Sequence, residues 1–296
     1  MKAWLEAFRL RTLPLALASI GMGSFLAAAE SRFRLGVFAL CSLTTIFLQI
    51  LSNLANDYGD SIHGADSKDR EGPQRAVQSG AISAQAMKKA MMLFGGLSLI
   101  SGLSLLYVAG LGLQTLLLFL GLGVLAIIAA ITYTAGSKPY GYIGLGDISV
   151  LAFFGVLGVM GTFYLHTGVI AWKYLLPSLS CGFFAIAVLN VNNIRDIQSD
   201  TKAGKRSIPV RIGREKAVIY HWGLLIGGML SAVVFVLLDF SSIYQLIFLV
   251  TIPLIIKNGK AVATLTQPKE LDPFLKQMAL TTLIFVLTFG IGQLIP

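Results

Sequence analysis

Residues 35–70 read LGVFALCSLTTIFLQILSNLANDYGDSIHGADSKDR. The part up to Ser52 is almost entirely apolar, whereas the part after it carries four aspartates followed by bases. About 20 apolar residues are enough for a helix to cross the hydrocarbon core of a bilayer. The stretch therefore predicts a membrane-spanning helix that ends in an acidic cluster at the membrane surface.

The composition of the whole chain extends this interpretation. Of its 296 residues, 55% are hydrophobic and only 12% are charged, and the mean hydropathy is +0.77. A soluble domain carries about 25% charged residues, so the soluble enzyme classes are excluded. We expect an all-α integral membrane protein, because lipid cannot satisfy open backbone groups, folded as a single domain over residues 1–296. The predicted spans are roughly 12–29, 35–55, 90–109, 113–133, 147–165, 174–192, 217–238, 240–256 and 277–295.

Pro253 makes the eighth predicted span a candidate for a tilted or broken helix. The first span follows Lys2, Arg9 and Arg11 and ends in three alanines, a pattern that also fits a signal peptide. Retaining this segment as a span gives a consistent map of nine helices in one bundle.

The distribution of Lys and Arg predicts the orientation of these spans. With the N-terminus placed on one side, that side carries 20 of the 23 basic residues. Basic loops face the cytoplasm, so we expect a cytoplasmic N-terminus in the cell (inner) membrane. The net charge of +9 is then explained by this bias and by anionic lipid headgroups rather than by nucleic acid.

The acidic cluster has a counterpart later in the chain. Asn56–Asp60 and Asn192–Asp196 both match the pattern N-[DN]-x-x-D, with an offset of 136 residues. Four predicted spans separate the two motifs, and an even number of crossings returns the chain to the same side. The repeat predicts two half-bundles whose Asp-rich helix ends face one cavity on the cytoplasmic side.

The residue types in these motifs indicate a metal-bound anionic ligand. If helix continues through them, two polar stripes result, at i, i+3, i+4 and i+7 in the first motif and at i, i+3 and i+7 in the second. The stripes comprise Asn53, Asn56, Asp57 and Asp60 in the first motif, and Asn193, Asp196 and Asp200 in the second. Their oxygens suit Mg²⁺, which commonly binds phosphates as well. The bases that follow the motifs suit the phosphates: Arg70, Arg75, Lys202, Lys205 and Arg206.

A third polar segment, residues 133–147, reads YTAGSKPYGYIGLGD and lies on the same predicted side. Lys138 can reach a phosphate, and Tyr133, Tyr140 and Tyr142 can stack on a ring or face a developing cation. Tyrosines at this depth are also typical of an interfacial aromatic belt.

These residues carry a resemblance that extends over essentially the whole chain. It resembles the UbiA-type intramembrane aromatic prenyltransferases, whose second and sixth of nine helices end in NDxxDxxxD and DxxxD motifs. Asn56-Asp57-x-x-Asp60 and Asp196-x-x-x-Asp200 match these patterns, but position 64 is Gly and the next acid is Asp66. That displacement and the 133–147 segment are similar to the 1,4-dihydroxy-2-naphthoate polyprenyltransferase branch.

The resemblance implies Mg²⁺-dependent transfer of a polyprenyl group from polyprenyl diphosphate to 1,4-dihydroxy-2-naphthoate. Carbon dioxide and diphosphate are lost, and demethylmenaquinone is formed. The implied metal ligands are Asn56, Asp60, Asp196 and Asp200. The implied catalytic residues are Asp57, Asp60, Asp196, Asp200 and Lys138. The implied substrate-binding residues are Asn53, Arg70, Arg75, Tyr133, Tyr140, Asn193, Lys202, Lys205 and Arg206.

Several alternatives stay open at this point. Asp57, Asp66 and Asp69 are all candidates for the base that deprotonates the ring hydroxyl. Arg9 and Arg11 either bind the acceptor carboxylate or flank the first span as ordinary positive charges. The acceptor can be another aromatic acid such as 4-hydroxybenzoate. An ion-coupled transporter is disfavoured, because no charged residue lies in the middle of a predicted span.

Overall fold

The computed structural model describes residues 1–63 and 74–296. Within these ranges, nine helices are long and apolar enough to cross a membrane. They are α1 (Lys2–Ala29), α2 (Leu35–Ile62), α3 (Ala84–Ala109), α4 (Leu113–Thr132), α5 (Gly146–Thr167), α6 (Trp172–Arg195), α7 (Ile208–Leu238), α8 (Ile243–Thr264) and α9 (Pro268–Leu294). The predicted all-α bundle is confirmed, and the protein is a multi-pass membrane protein.

The helices continue beyond the predicted spans at the end of the bundle that carries the acidic motifs. α2 reaches Ile62 and not residue 55, and α7 begins at Ile208 and not at residue 217. A helix satisfies its own backbone N–H and C=O groups whatever its side chains are, so it need not end where the apolar residues end. The first acidic motif therefore lies on a rigid helix.

Two helices in the second half of the bundle are interrupted. In α8, residues Ile243–Thr251 form a 3₁₀ helix, and an α-helix follows from Ile252. Pro253 lies in the first turn of that α-helix, where its missing N–H is not needed. The eighth span thus changes its helix type before Pro253 but continues as one helix from Ile243 to Thr264. In α7, Gly213 has a φ of 78° and breaks the helix near its start.

The core of the bundle lies around α6, which is the most buried helix. α6 packs against α5, α7 and α9, and α1 packs against α2, α5 and α9. Aromatic rings fill the space between these helices and α8, with Phe184 and Phe285 at 4.9 Å and Phe248 and Phe289 at 5.5 Å between ring centroids. α4, in contrast, packs on α2 and α3 and leaves most of its surface for lipid.

One stretch of α5 has an unusual winding that matters for the site. Residues Leu151–Gly161 form a π-helix, a conformation that is frequent at functional sites. Phe153, Phe154 and Leu157 from this stretch line the cavity described below. The π-helix therefore contributes aromatic and aliphatic side chains to the cavity wall.

Candidate active site

A cavity of about 430 Å³ lies between α1, α2, α3, α4, α5, α6 and α9. One end is apolar and is lined by Ile20, Cys41, Leu105 and Leu165. The other end is polar and is lined by Arg9, Arg11, Asn53, Asn56, Asp60, Arg75, Tyr133, Tyr140, Asn192, Asn193, Lys205 and Lys276. A long apolar pocket that ends in charged groups suits an amphipathic ligand with an anionic head.

Asp60 is the carboxylate of the first motif that lines the cavity. Its side chain is buried, and its two oxygens have different partners. Tyr142 donates its hydroxyl proton to Oδ1 at 2.8 Å, and Arg75 Nη1 lies 2.6 Å from Oδ2. Arg75 also donates to the backbone carbonyl of Asn56. The carboxylate is thus held by one neutral and one cationic donor at the mouth of the cavity.

Asp57 lies on the same helix but faces away from the cavity. Its oxygens accept hydrogen bonds from the backbone N–H groups of Ala76 and Val77, at 3.1 and 3.0 Å. These bonds join α2 to the segment that carries Arg75. The contacts of Asp57 are those of an anchor for this segment, and a catalytic role for Asp57 stays a prediction.

Asn56 is oriented by the segment that precedes α5. The hydroxyl of Thr134 donates to Asn56 Oδ1 at 2.9 Å, and it also lies 3.0 Å from the carbonyl oxygen of Ala55. The backbone of Thr134 comes so close to Gly59 that a Cβ there would collide with the Thr134 carbonyl. Glycine at position 59 therefore allows the 133–147 segment to pack directly on the first motif.

Asn53 lines the cavity and also stabilises a turn in α1. Its amide nitrogen donates to the backbone carbonyl of Phe8 at 2.9 Å and to the hydroxyl of Thr12 at 3.0 Å. Between these two partners, Arg9 has a φ of 49°, in the left-handed region. A non-glycine residue in this region costs free energy and needs support from its surroundings. Asn53 supplies that support beside the polar end of the cavity.

The second motif is not one continuous stripe as the helical spacing predicts. α6 ends at Arg195, and Asp196, with φ −97° and ψ 13°, separates it from the short helix Ile197–Lys202. Helix therefore does not continue unbroken through Asp200, and the condition for a single stripe is not met in this motif. Asn193 lines the cavity, whereas Asp196 and Asp200 are buried beside it.

Each buried carboxylate of the second motif is paired with a base. Arg195 binds Asp196 through two bonds, from Nε to Oδ1 at 2.8 Å and from Nη2 to Oδ2 at 2.7 Å. Lys205 Nζ lies 3.2 Å from Asp200 Oδ2. Lys205 lines the cavity, so Asp200 acts on the cavity wall through it.

Contacts between Lys205 and Tyr142 join the two motifs at one end of the bundle. Tyr142 donates to Asp60, and Lys205 Nζ lies 6.0 Å from the centroid of the Tyr142 ring. The backbone N–H of Arg206 also donates to the Tyr142 carbonyl at 2.7 Å. The two motifs therefore contribute to one cluster of charges, although 136 residues separate them.

The charges in this cluster shift the pKa values of its members. Burial alone would lower the pKa of Lys205, but the carboxylates of Asp200 and Asp60 raise it above its usual value. Burial raises the pKa of Asp200, and Lys205 opposes this shift. Burial and the neighbouring Asp60 raise the pKa of Tyr142, so its hydroxyl stays protonated and donates. The neighbouring carboxylates therefore favour the charged form of Lys205 at the cavity wall.

The donor set fits a hard divalent cation. Asn193 Oδ1 is buried and has no hydrogen bond among the described residues, and such an atom is a good ligand candidate. The oxygens of Asp200 are buried beside it and pair with Lys205. No three acidic or histidine side chains converge into a preformed cage in the described part of the chain. Mg²⁺ does not require such a cage, because one or two carboxylates, water and substrate phosphates usually bind it.

The remaining predicted site residues differ in their position relative to the cavity. Tyr133 and Tyr140 line the cavity with their ring centroids 5.3 Å apart, and the Tyr140 hydroxyl contacts Ala129 O and Ser149 Oγ, both at 3.0 Å. Of the predicted site residues, three are exposed and do not line the cavity: Lys138, Lys202 and Arg206. Arg70, Asp66 and Asp69 lie outside the described residues.

Sequence reasoning missed three residues that hold the site together. Thr134 orients Asn56, Arg195 binds the Asp196 carboxylate, and Asp272 of α9 contacts Arg195. Arg195 lies inside the second motif, so its position next to an acid was a usable signal. Thr134 lies in a segment that was already of interest, whereas nothing in the sequence around Asp272 distinguishes it.

Comparisons with known proteins agree with this architecture. The sequence profile of the UbiA prenyltransferase family matches residues 16–290. A Haemophilus influenzae protein named 1,4-dihydroxy-2-naphthoate octaprenyltransferase is 48% identical over 100% of this chain and 96% of its own length. An Escherichia coli protein of the same name is 46% identical over 99% of this chain and 96% of its own length.

Solved structures show the same fold at low sequence identity. A UbiA homolog from Aeropyrum pernix superposes with a TM-score of 0.68 at 16% identity, over 96% of this chain and 97% of its own. A UbiA homolog from Archaeoglobus fulgidus, solved with GPP and Mg²⁺, has a TM-score of 0.60 at 19% identity, over 97% and 99% of the two chains. The profile match and the close relatives, together with this fold, establish that the chain belongs to the UbiA prenyltransferase family.

Proposed function

We propose that this protein transfers a polyprenyl group from a polyprenyl diphosphate to 1,4-dihydroxy-2-naphthoate, with loss of diphosphate and carbon dioxide. The substrates are inferred from the names of relatives at 46–48% identity. The observation that carries the proposal is the position of two acidic motifs, with their bases, at the polar end of a deep apolar cavity. An apolar tail with an anionic head matches this arrangement.

The diphosphate binds at the polar end, between Arg75, Lys205 and the motif oxygens. Both of these cations line the cavity and neutralise charge on the leaving group. The residues that would hold Mg²⁺ are Asn56, Asp60, Asp196 and Asp200, with Asn193 beside them. Arg195 orients Asp196 within this set. Bound Mg²⁺ would supply positive charge that makes the diphosphate a better leaving group. Support for a metal comes from the relative solved with GPP and Mg²⁺.

The polyprenyl tail occupies the apolar part of the cavity along α2. Asp60 lies at one end of the cavity lining and Cys41 at the other, 19 residues apart. At about 1.5 Å per residue, this separation is roughly 28 Å. The tail therefore has an apolar path that is about as long as the hydrocarbon core of a bilayer is thick.

The aromatic acceptor binds on the α1 and α9 side of the same polar end. Arg9, Arg11 and Lys276 line that wall, and a carboxylate placed there gains charge-assisted hydrogen bonds. Tyr133 and Tyr140 lie across the cavity and present their rings to the allylic carbon. The acceptor carboxylate and the donor diphosphate are thus bound by different bases.

The reaction breaks the allylic C–O bond and forms a C–C bond to the naphthoate ring. The diphosphate leaves with the electron pair of the C–O bond. The ring carbon that attacks loses its proton, and the neighbouring carbon loses its carboxylate as carbon dioxide and takes up a proton. The product is a prenylated naphthoquinol, whose oxidised form is demethylmenaquinone. The apolar wall keeps water away from the allylic cation.

The basic residues also lead us to place the polar end of the bundle in the cytoplasm and the protein in the cell (inner) membrane. Support comes from the excess of Lys and Arg at the end of the bundle that carries the motifs. Anionic headgroups at that surface would attract the same residues.

An assay of purified protein in detergent tests the proposal. Octaprenyl diphosphate and Mg²⁺ are incubated with dihydroxynaphthoate, 4-hydroxybenzoate or another aromatic acid, and the products are separated by chromatography. We expect product with dihydroxynaphthoate, none with EDTA, and none with Asp60→Ala or Asp196→Ala. Product with 4-hydroxybenzoate alone would refute the proposed acceptor. Wild-type rates in both variants would refute the proposed site.

A further inference from the structure

Asp272, in the first turns of α9, is clamped between two arginines. Arg195 Nη1 donates to Oδ1 at 2.6 Å, and Arg11 Nη1 donates to Oδ2 at 2.9 Å. Each carboxylate oxygen therefore binds one guanidinium group. Because these bonds are charge-assisted, they are among the stronger hydrogen bonds in proteins. α9 carries no acidic motif, so this contact has no explanation in the motif pattern.

On one side of the clamp, Asp272 completes the environment of Arg195. The Arg195 side chain is only 1% exposed, and it also donates to Asn192 at 2.8 Å and to both oxygens of Asp196. A buried guanidinium with one of its partners removed is strongly unfavourable. Loss of the Asp272 charge would therefore change how Arg195 holds Asp196.

The second arginine bound to Asp272, Arg11, connects Asp272 to the cavity. Arg11 lines the polar end of the cavity, and so does Lys276, one turn after Asp272 on α9. The Asp272 bond fixes one nitrogen of a guanidinium whose long side chain would otherwise sample many rotamers. Asp272 thus contacts one base on the acceptor side and one base on the side of the second motif.

We propose that Asp272 is a positioning residue that holds both substrate subsites in register. It orients Arg11 toward the carboxylate of the aromatic acceptor. Through Arg195 it also orients Asp196 toward the Mg²⁺-bound diphosphate. The orientation of Arg11 toward the acceptor rests on the proposed function. The orientation of Asp196 depends only on Asp196 taking part in metal binding.

The test compares Asp272→Asn with a matched control, Asp239→Asn. Asp239 forms an exposed ion pair with Lys173 at 2.9 Å, outside the cavity lining. Thermal melts in detergent with inorganic pyrophosphate and increasing Mg²⁺ give a midpoint concentration that requires no turnover. Steady-state assays give KM for the acceptor. Asp272→Asn should raise the Mg²⁺ midpoint about tenfold, as the loss of outer-shell partners does at metal sites, and should also raise the acceptor KM.

The same two quantities are measured for the control and for a variant that removes one of the two arginine partners of Asp272. Asp239→Asn should leave both quantities at wild-type values. Arg11→Gln should raise the acceptor KM and leave the Mg²⁺ midpoint unchanged, because it removes only one arm of the clamp. A lower melting temperature for Asp272→Asn with an unchanged Mg²⁺ midpoint and an unchanged KM would mean a merely structural role and would overturn the proposal.

If Asp272→Asn does not fold, Asp272→Glu is measured in its place. It keeps the charge but moves the carboxylate by one carbon–carbon bond. Raised values of both quantities support the proposal, and wild-type values of both overturn it. If the wild-type protein transfers no prenyl group to any acceptor, the proposed function fails, while the pyrophosphate and Mg²⁺ melts still decide the Arg195 and Asp196 part.

Discussion

Substitution of Thr45 by tryptophan should separate long prenyl donors from short ones. Thr45 is on α2 and lines the cavity, 15 residues before Asp60. At about 1.5 Å per residue, the indole would enter the cavity roughly 22 Å from the diphosphate. Four carbon–carbon bonds of about 1.5 Å make one extended prenyl unit roughly 5 Å long. About four units therefore fit before the obstruction.

The expected effect depends on the length of the donor. Farnesyl diphosphate has three prenyl units and should keep its kcat/KM within about twofold, because its tail ends before residue 45. Octaprenyl diphosphate must displace the indole, and overpacking costs about 1–3 kcal/mol. That cost corresponds to a loss of about five- to 150-fold in kcat/KM for the long donor.

A matched control lies two residues away on the same helix. Leu43 is 40% exposed and does not line the cavity, so Leu43→Trp should face lipid and leave both donors unaffected. The assay measures kcat/KM for the two donors side by side in the same detergent. If Thr45→Trp lowers both values equally, or neither, the tail does not follow α2 and the reasoning about the cavity is wrong.

Three further outcomes follow from individual contacts. Asp57→Asn should destabilise the protein by about 2 kcal/mol in a reversible unfolding assay, because one of two charge-assisted bonds to backbone N–H groups is lost; an unchanged stability would contradict its anchoring role. Thr134→Val should lower activity about tenfold by releasing the Asn56 amide, and Thr134→Ser should restore it; equal activities would exclude this contact. A lysine whose pKa is raised in the folded state contributes stability that is fully present below its unfolded pKa of about 10.4. That contribution is lost only as the pH rises through the folded pKa. The Lys205→Met penalty in melting temperature should therefore stay constant between about pH 6 and 9, and a penalty that disappears near pH 8 would contradict the raised pKa.

Hydropathy was sufficient to predict the fold because a bilayer admits few alternatives. Each span must be about 20 apolar residues and helical, so all nine predicted spans correspond to a helix in the structure. The helix ends were predicted less well, as α7 illustrates. Ile208 precedes the predicted start of the span at residue 217, and the helix is broken between them at Gly213.

The roles of individual site residues depend on contacts that periodicity does not contain. Asp57 and Asp60 lie on one predicted stripe, yet Asp57 binds backbone N–H groups and Asp60 binds Tyr142 and Arg75. The break at Asp196 likewise has no signal such as Gly or Pro. For Asp57 and Asp60, segments distant in sequence decide the contacts, and no local pattern describes those segments.

The pairing of acids and bases explains how one site can accept a highly charged ligand inside a membrane protein. Asp60, Asp196 and Asp200 are each in contact with a base, at 2.6, 2.7 and 3.2 Å. Isolated buried charges would cost several kcal/mol each, whereas paired charges offset most of that penalty. In the proposed reaction, a diphosphate with a divalent cation would bring both signs of charge, so the bases could turn to phosphate while the carboxylates turn to the metal. Each buried charge would then keep a partner of opposite sign, so ligand binding would leave no buried charge unpaired.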